Sequence, residues 1–161
     1  HTPILTDQGR LPISTIHPKK HSIDGEPIVA ITRTISLDNY LVCFDRHSLG
    51  PGIPSEKTSM SKDHKVVYNN QFVAAKDFLV GFRGVYKVKY NQEILYNVLM
   101  PNYRKINVNN MTCETLDPRN HIAKLHNSPI AEHEKYRFVV QMNDYVKKGE
   151  KEKLKQLVRI L

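Results

Sequence analysis

The sequence predicts a mainly β fold with a helical extension at its C-terminal end. Three observations carry that expectation. Through about residue 114 the apolar residues fall in short runs rich in Val, Ile and Tyr. Those runs are separated by Asn-Asn, Gly and Pro turn signals at close spacing, the pattern of an all-β unit. Beyond residue 126 the pattern changes to the three-to-four-residue period of helices.

Taken in order, residues 2–6 read as a strand ending at the turn Asp7-Gln8-Gly9, and residues 11–16 as a second strand stopped by Pro18. Residues 28–34 are rich in β-branched side chains, which suit a pleated surface. Residues 40–44 (YLVCF) are continuously apolar, as in a strand covered on both faces. The stretch 46–57 holds Gly50-Pro51-Gly52 and Pro54 and reads as a loop. A short strand at 58–60 then leads into Ser61-Lys62-Asp63-His64. Three hairpins are expected: 66–68 with 71–73 around Asn69-Asn70, 85–90 with 94–100 around Asn91-Gln92, and 105–108 with 111–114 around Asn109-Asn110. Residues 74–79 fit one helical turn. Ser128-Pro129 reads as a helix start, with the helix over 130–146 ended by Lys147-Lys148-Gly149. Over 150–161, Leu154, Leu157, Val158 and Leu161 share one helix face. The expected organisation is a β domain over 1–127 and a helical tail over 128–161.

The bulk properties narrow the function classes. A chain of 161 residues suits one domain with a short appendage. No apolar run approaches the roughly 18 residues of a membrane span, so no membrane partner is expected. The opening HTPILTDQGR lacks the basic-then-apolar order of a signal peptide. The first residue is not Met, so the chain reads as a fragment or processed product. Net charge is +8, but the basic residues are dispersed and no aromatic–basic module is present. Nucleic acid is therefore a lesser alternative to a plain basic surface or an acidic partner. Two cysteines, Cys43 and Cys113, are too few for a disulfide scaffold. The eight histidines lack metal-ligand spacing, and no cofactor is expected.

Three blocks in order carry a resemblance. The first is Thr2-Pro3-Ile4-Leu5-Thr6-Asp7-Gln8-Gly9. The second is Ser61-Lys62-Asp63-His64, with Val66 and the AAKDFL stretch after it. The third runs from Tyr96-Asn97-Val98-Leu99 to Val108-Asn109-Asn110-Met111, with IAKLH at 122–126 beyond it. Together they resemble the Hint domain, the self-processing fold of inteins and hedgehog C-terminal segments, and are similar to Hint-like domains of large DNA viruses and phages. The resemblance covers about three-quarters of the chain. It implies a horseshoe of short, bent antiparallel strands.

It also implies an activity. In that family a Cys or Ser attacks its own preceding carbonyl and turns a peptide bond into a thioester or ester. His64 falls at the family's block histidine, which protonates the leaving nitrogen. Ser61 falls at the hydroxyl three residues earlier, which polarises the same bond. Asn97 stands where many members have Asp, and Cys113 is readable either as a second nucleophile or as a small buried hydrophobe. The nucleophile itself would precede Thr2. The family's late histidine position falls near Tyr103-Arg104, and its terminal His-Asn is replaced by Glu114-Thr115. Hedgehog-like cleavage therefore fits better than splicing. His126-Asn127-Ser128 spells an intein-like junction but comes more than a dozen residues late, where a helix start accounts for it.

The resemblance thus implies single-turnover autoproteolysis, with the upstream segment of its own precursor as partner and an intracellular or virion-associated location. The alternative is an inert Hint-fold component of a virion, a minor capsid or assembly protein. There residues 129–161 would dock a protein partner or pack on the chain's own β domain.

Overall fold

The computed structural model describes residues 2–160. Among them are thirteen strands, two 3-10 turns and three α-helices. Every strand pairing is antiparallel, so the chain is mainly β with a helical C-terminal part.

The largest sheet has six strands in the order β2-β1-β12-β13-β8-β9. These are β1 (Pro3–Thr6), β2 (Gly9–Pro12), β8 (Lys65–Tyr68), β9 (Gln71–Ala74), β12 (Lys105–Val108) and β13 (Met111–Glu114). Segments far apart in sequence meet here. Ile4 of β1 lies opposite Val108, and Cys113 of β13 lies opposite Val66. A three-stranded sheet sets β6 (Tyr40–Phe44) between β10 (Val85–Lys89) and β7 (Thr58–Met60). A two-stranded ribbon joins β5 (Ala30–Thr34) to β11 (Leu95–Leu99), and β3 (Ser22–Ile23) pairs with β4 (Glu26–Pro27). The inner faces share one core that includes Ile4, Phe44, Val66, Phe78, Val98 and Met111. Phe78 meets Phe44, Tyr68 and Phe82 edge-on, with ring centroids 5.3–5.6 Å apart. Burying such a ring contributes about 1.5–3 kcal/mol.

Two of the expected hairpins form with two-residue turns. Asn69 and Asn70 have φ of 50° and 62°, and Asn109 and Asn110 have 50° and 66°. Hairpin turns of this kind need positive φ at both central residues, and Asn tolerates it better than other non-glycine residues. The third expected hairpin does not form. Residues 85–89 pair with β6, and residues 95–99 pair with β5. The apolar strand β6 needs a partner on each edge, and β10 fills one of them. Tyr90 fixes the divergence of the two strands: it is buried, its hydroxyl donates to Glu93 O at 2.7 Å, and it accepts the Ser36 N–H at 3.2 Å.

The strand expected over 11–16 is shorter. β2 stops at Pro12, and Ile13–Thr15 is a 3-10 turn closed by Thr15 Oγ1 donating to Pro12 O at 2.8 Å. The helical part holds α1 (His121–Asn127), α2 (Glu132–Lys147) and α3 (Lys151–Val158). Helix α1 was not expected. Ser128, read from sequence as a helix start, ends α1 instead, its Oγ donating to Leu125 O at 2.7 Å. Helix α2 stops at Gly149, whose φ of 68° suits a residue without Cβ.

The helical tail packs on the chain's own β sheets. Val146 joins Ile35 and Tyr90, with Leu41, Leu95 and Leu154 around them. Asn143 accepts the Ile35 N–H at 3.0 Å and donates to Arg33 O at 3.3 Å, continuing the edge of β5. Leu161, on the expected apolar face of α3, lies outside the described residues.

The Asn109 turn supplies a stability test. Asn109 is buried, its Nδ2 donates to Thr58 Oγ1 at 2.9 Å, and its carbonyl accepts the Ser55 N–H at 2.9 Å. Asn109→Ala loses the side-chain bond and forces a Cβ residue into left-handed geometry, at a cost of about 2–3 kcal/mol. Asn109→Gly should cost less, because only the bond is lost. Urea unfolding of the two variants checks the order.

Candidate functional site

A cavity of about 710 Å³ opens between the two-stranded ribbon, one face of the six-stranded sheet and the helices. All four residues singled out from the sequence line it: Ser61, His64, Asn97 and Cys113. Thr2, the residue just before β1, lines it as well.

Ser61 and His64 form a single turn between β7 and β8. The His64 N–H donates to Ser61 O at 3.2 Å. The turn is clamped from the other side, where Ala75 N donates to His64 O at 2.8 Å and Lys76 N donates to Lys62 O at 2.9 Å. The AAKDFL stretch thus holds the backbone of the Ser-x-x-His turn. Asp63 is exposed at the cavity lining and pairs with Lys76 at 3.0 Å.

Burial lowers the His64 pKa below its ordinary 6.5, and the Glu114 carboxylate pulls the other way. Burial dominates, so the imidazole is mostly neutral near pH 7. Its Nδ1 lies 4.0 Å from Glu114 Oε1.

Asn97 sits on β11 opposite Thr32, and its Oδ1 accepts the Val98 N–H at 2.9 Å. As an amide it brings donors as well as an acceptor, where a carboxylate would bring only acceptors. Cys113 is 1% exposed, and burial pushes its thiol up to about 12. That is the condition of a small buried hydrophobe, not of a ready nucleophile. Tyr103 and Arg104 do not line the cavity. Tyr103 donates to Glu114, and Arg104 pairs with Asp24 and Glu26.

Sequence reasoning missed two residues. His121 opens α1 and lines the cavity, half-buried, with its pKa lowered by burial. The helix start that places it was readable in Asn120, whose Oδ1 accepts the Ile122 N–H at 2.8 Å. Glu114 was read as the end of a strand and, with Thr115, as a departure from the family's terminal His-Asn, not as a site residue. Its position beside His64 follows from the β13–β8 register, a long-range pairing that no local signal announces. The His126-Asn127-Ser128 string is remote from the site: His126 faces a separate hollow with His17 and Arg33.

Much of the lining is apolar: Ile4, Val98, Ile106 and Val108 come from the sheets, and Met142, Val146, Leu154 and Val158 from α2 and α3. Among the described residues no cluster of His, Cys, Asp or Glu has the arrangement of a metal site. No helix among them is long and apolar enough to cross a membrane. No family model matches the chain, and neither the curated proteins nor the solved structures searched contain a match.

The burial of these titratable groups has two measurable consequences. His64, His121 and His126 all have pKa values lowered by burial. As pH falls through about 6.5 the unfolded chain takes up protons that the folded chain resists. The stability tied to these neutral histidines is therefore full above 6.5 and lost as pH falls below it. Asp7 and Asp117, both lowered from 3.8, act only in more acid solution. Urea midpoints should be level from pH 8 to 7 and fall between 6.5 and 5, and His121→Gln should flatten that fall. Cys113 should also resist iodoacetamide at pH 8 in the folded chain and react in urea, which mass spectrometry of the alkylated protein reads directly.

Proposed function

We propose that this chain is a Hint-like self-processing module that cleaves a peptide bond just upstream of itself, once per molecule. The observation that carries this reading is the convergence of Thr2, Ser61, His64, Asn97 and His121 on one cavity. These residues come from widely separated parts of the chain. Polar residues from distant segments gathered, half-buried, around one cavity are a mark of a reaction site.

In this reading a Cys or Ser supplied by the chain N-terminal to Thr2 attacks the carbonyl carbon before it. The new S–C or O–C bond forms as the C–N bond breaks. The nucleophile's proton passes to neutral His64 and from there to the leaving nitrogen, so charge and protons balance. Ser61 offers its hydroxyl hydrogen to the carbonyl oxygen, where negative charge develops. The resulting thioester or ester is then opened by water or by another nucleophile. Cys113, buried and protonated, has no covalent part.

The test is a longer chain that includes the upstream residues. It should break into two pieces, faster with added thiol where the nucleophile is Cys. His64→Ala should slow the break by about 10²–10⁴-fold, and Ser61→Ala by less. A longer wild-type chain that stays whole overturns the proposal.

A second reading keeps the fold as an inert assembly component, with the tail as its docking element. What favours it is the outer face of α2, where Tyr136 is 71% exposed and Val140 is 50% exposed one turn away. The inner face of α2 is already used within the chain. Under this reading Tyr136→Lys with Val140→Glu should lower the sedimenting mass of the assembly. Unchanged sedimentation removes the outer face from consideration.

A further inference from the structure

We infer that Glu114 is the positioning residue for His64, fixing which imidazole nitrogen faces the cavity. The inference deepens the reading of the site given above. It concerns a residue to which the resemblance assigns no role.

The geometry is specific. Glu114 Oε1 sits 4.0 Å from His64 Nδ1, and the two side chains are 13% and 18% exposed. The carboxylate is itself held on both oxygens. Oε1 accepts the Lys65 N–H at 3.1 Å, and Oε2 accepts the Tyr103 hydroxyl. The pairing of Cys113 with Val66 fixes β13 against β8 and so brings Glu114 to the start of β8. His64 lines the cavity, whereas Glu114 and Tyr103 do not. The carboxylate therefore stands behind the imidazole and acts through it.

Two consequences follow from that arrangement. A carboxylate behind Nδ1 favours the tautomer with hydrogen on Nδ1, which leaves the Nε2 lone pair toward the cavity. It also attracts the imidazolium that forms when His64 takes a proton, and draws the 4.0 Å separation shorter at that moment. The other charged groups near His64 are engaged or outward. Lys62 pairs with Asp38 at 3.6 Å, Asp63 pairs with Lys76 at 3.0 Å, and Lys65 is exposed. Asp77, in the turn packed against His64, is also exposed, and Cys113 is protonated. Asp38, Asp63, Glu93 and His121 share the cavity with His64, and Glu114, 4.0 Å from Nδ1, is the charge set against the ring from the neighbouring strand.

The experiment has two arms. In the first, ¹⁵N NMR of the 161-residue chain reads the tautomer and titration of His64, assigned by its loss in His64→Gln. Wild type should carry its neutral hydrogen on Nδ1. Glu114→Gln should lower the titration midpoint of His64, and Glu114→Ala should also spread the hydrogen over both nitrogens. In the second arm, the longer chain is assayed for cleavage against pH. Glu114→Gln should slow the break roughly tenfold and shift its acid limb to lower pH. An unchanged His64 titration in Glu114→Gln overturns the inference, whether or not the longer chain cleaves. Cleavage at unchanged rate and pH profile in Glu114→Gln, with wild type active, overturns it while leaving the self-processing reading in place. If Glu114→Ala does not fold, the isosteric Glu114→Gln titration decides alone.

Discussion

The hairpin of β12 and β13 is the element on which the rest of the structure depends. Its two-residue turn at Asn109-Asn110 sets the register, so that Ile106 lies opposite Cys113 and Val108 opposite Met111. One outer edge then receives β1, and the other receives β8. Because side chains alternate along a strand, a slip of one residue would turn Ile106, Val108, Met111 and Cys113 out of the core together. It would also carry Glu114 away from His64. The buried side chain of Asn109, tied to Thr58 across the sheets, resists that slip at its most sensitive point.

How much of this was legible in the sequence follows from the range of each interaction. The Asn-Asn turns announce themselves because two consecutive positive φ values select few residue types. The run YLVCF identifies itself by being apolar throughout, and Tyr40–Phe44 is indeed a central strand. Leu154 was readable from helical spacing and Val146 only as the end of a helix, and both meet the sheet. The failures share a different property. Whether Val85–Lys89 pairs with the next strand or with β6 depends on which apolar edge lies open in the assembled core. A strong turn signal at Asn91-Gln92 cannot carry that information. Likewise His64 and Ser61 are visible as a local Ser-x-x-His turn, but Glu114 enters only through pairing across about 50 residues of chain.

The helical tail changes what kind of site this is. An open cleft between strands would be wet, and its histidine would titrate near the ordinary value. With α2 and α3 against the ribbon, the cavity gains a wall of Met142, Val146, Leu154 and Val158. Asn143 secures that wall by capping backbone groups at the end of β5, which would otherwise be left open. The chain carries a net charge of +8, yet among the described residues no lysine or arginine lines the cavity, and Lys62 and Lys76 nearby are paired. Burial therefore sets the protonation of the site more than long-range charge does.

Burial alone would make His64 a poor proton carrier. A desolvated imidazole stays neutral, which suits it to accept a proton, but the imidazolium it becomes is penalised by the same low-polarity surroundings. A carboxylate nearby offsets that penalty only if it does not first neutralise the burial effect. At 4.0 Å, with both oxygens already occupied by Lys65 N–H and Tyr103, Glu114 is close enough to attract a charge but committed enough not to seize the ring in advance. The lowered pKa of His64 is the net result: burial outweighs the carboxylate in the resting state. In the proposed self-processing reading, such a balance would leave a neutral base toward the cavity and a counter-charge behind it, which is what a group that first takes and then returns a proton requires.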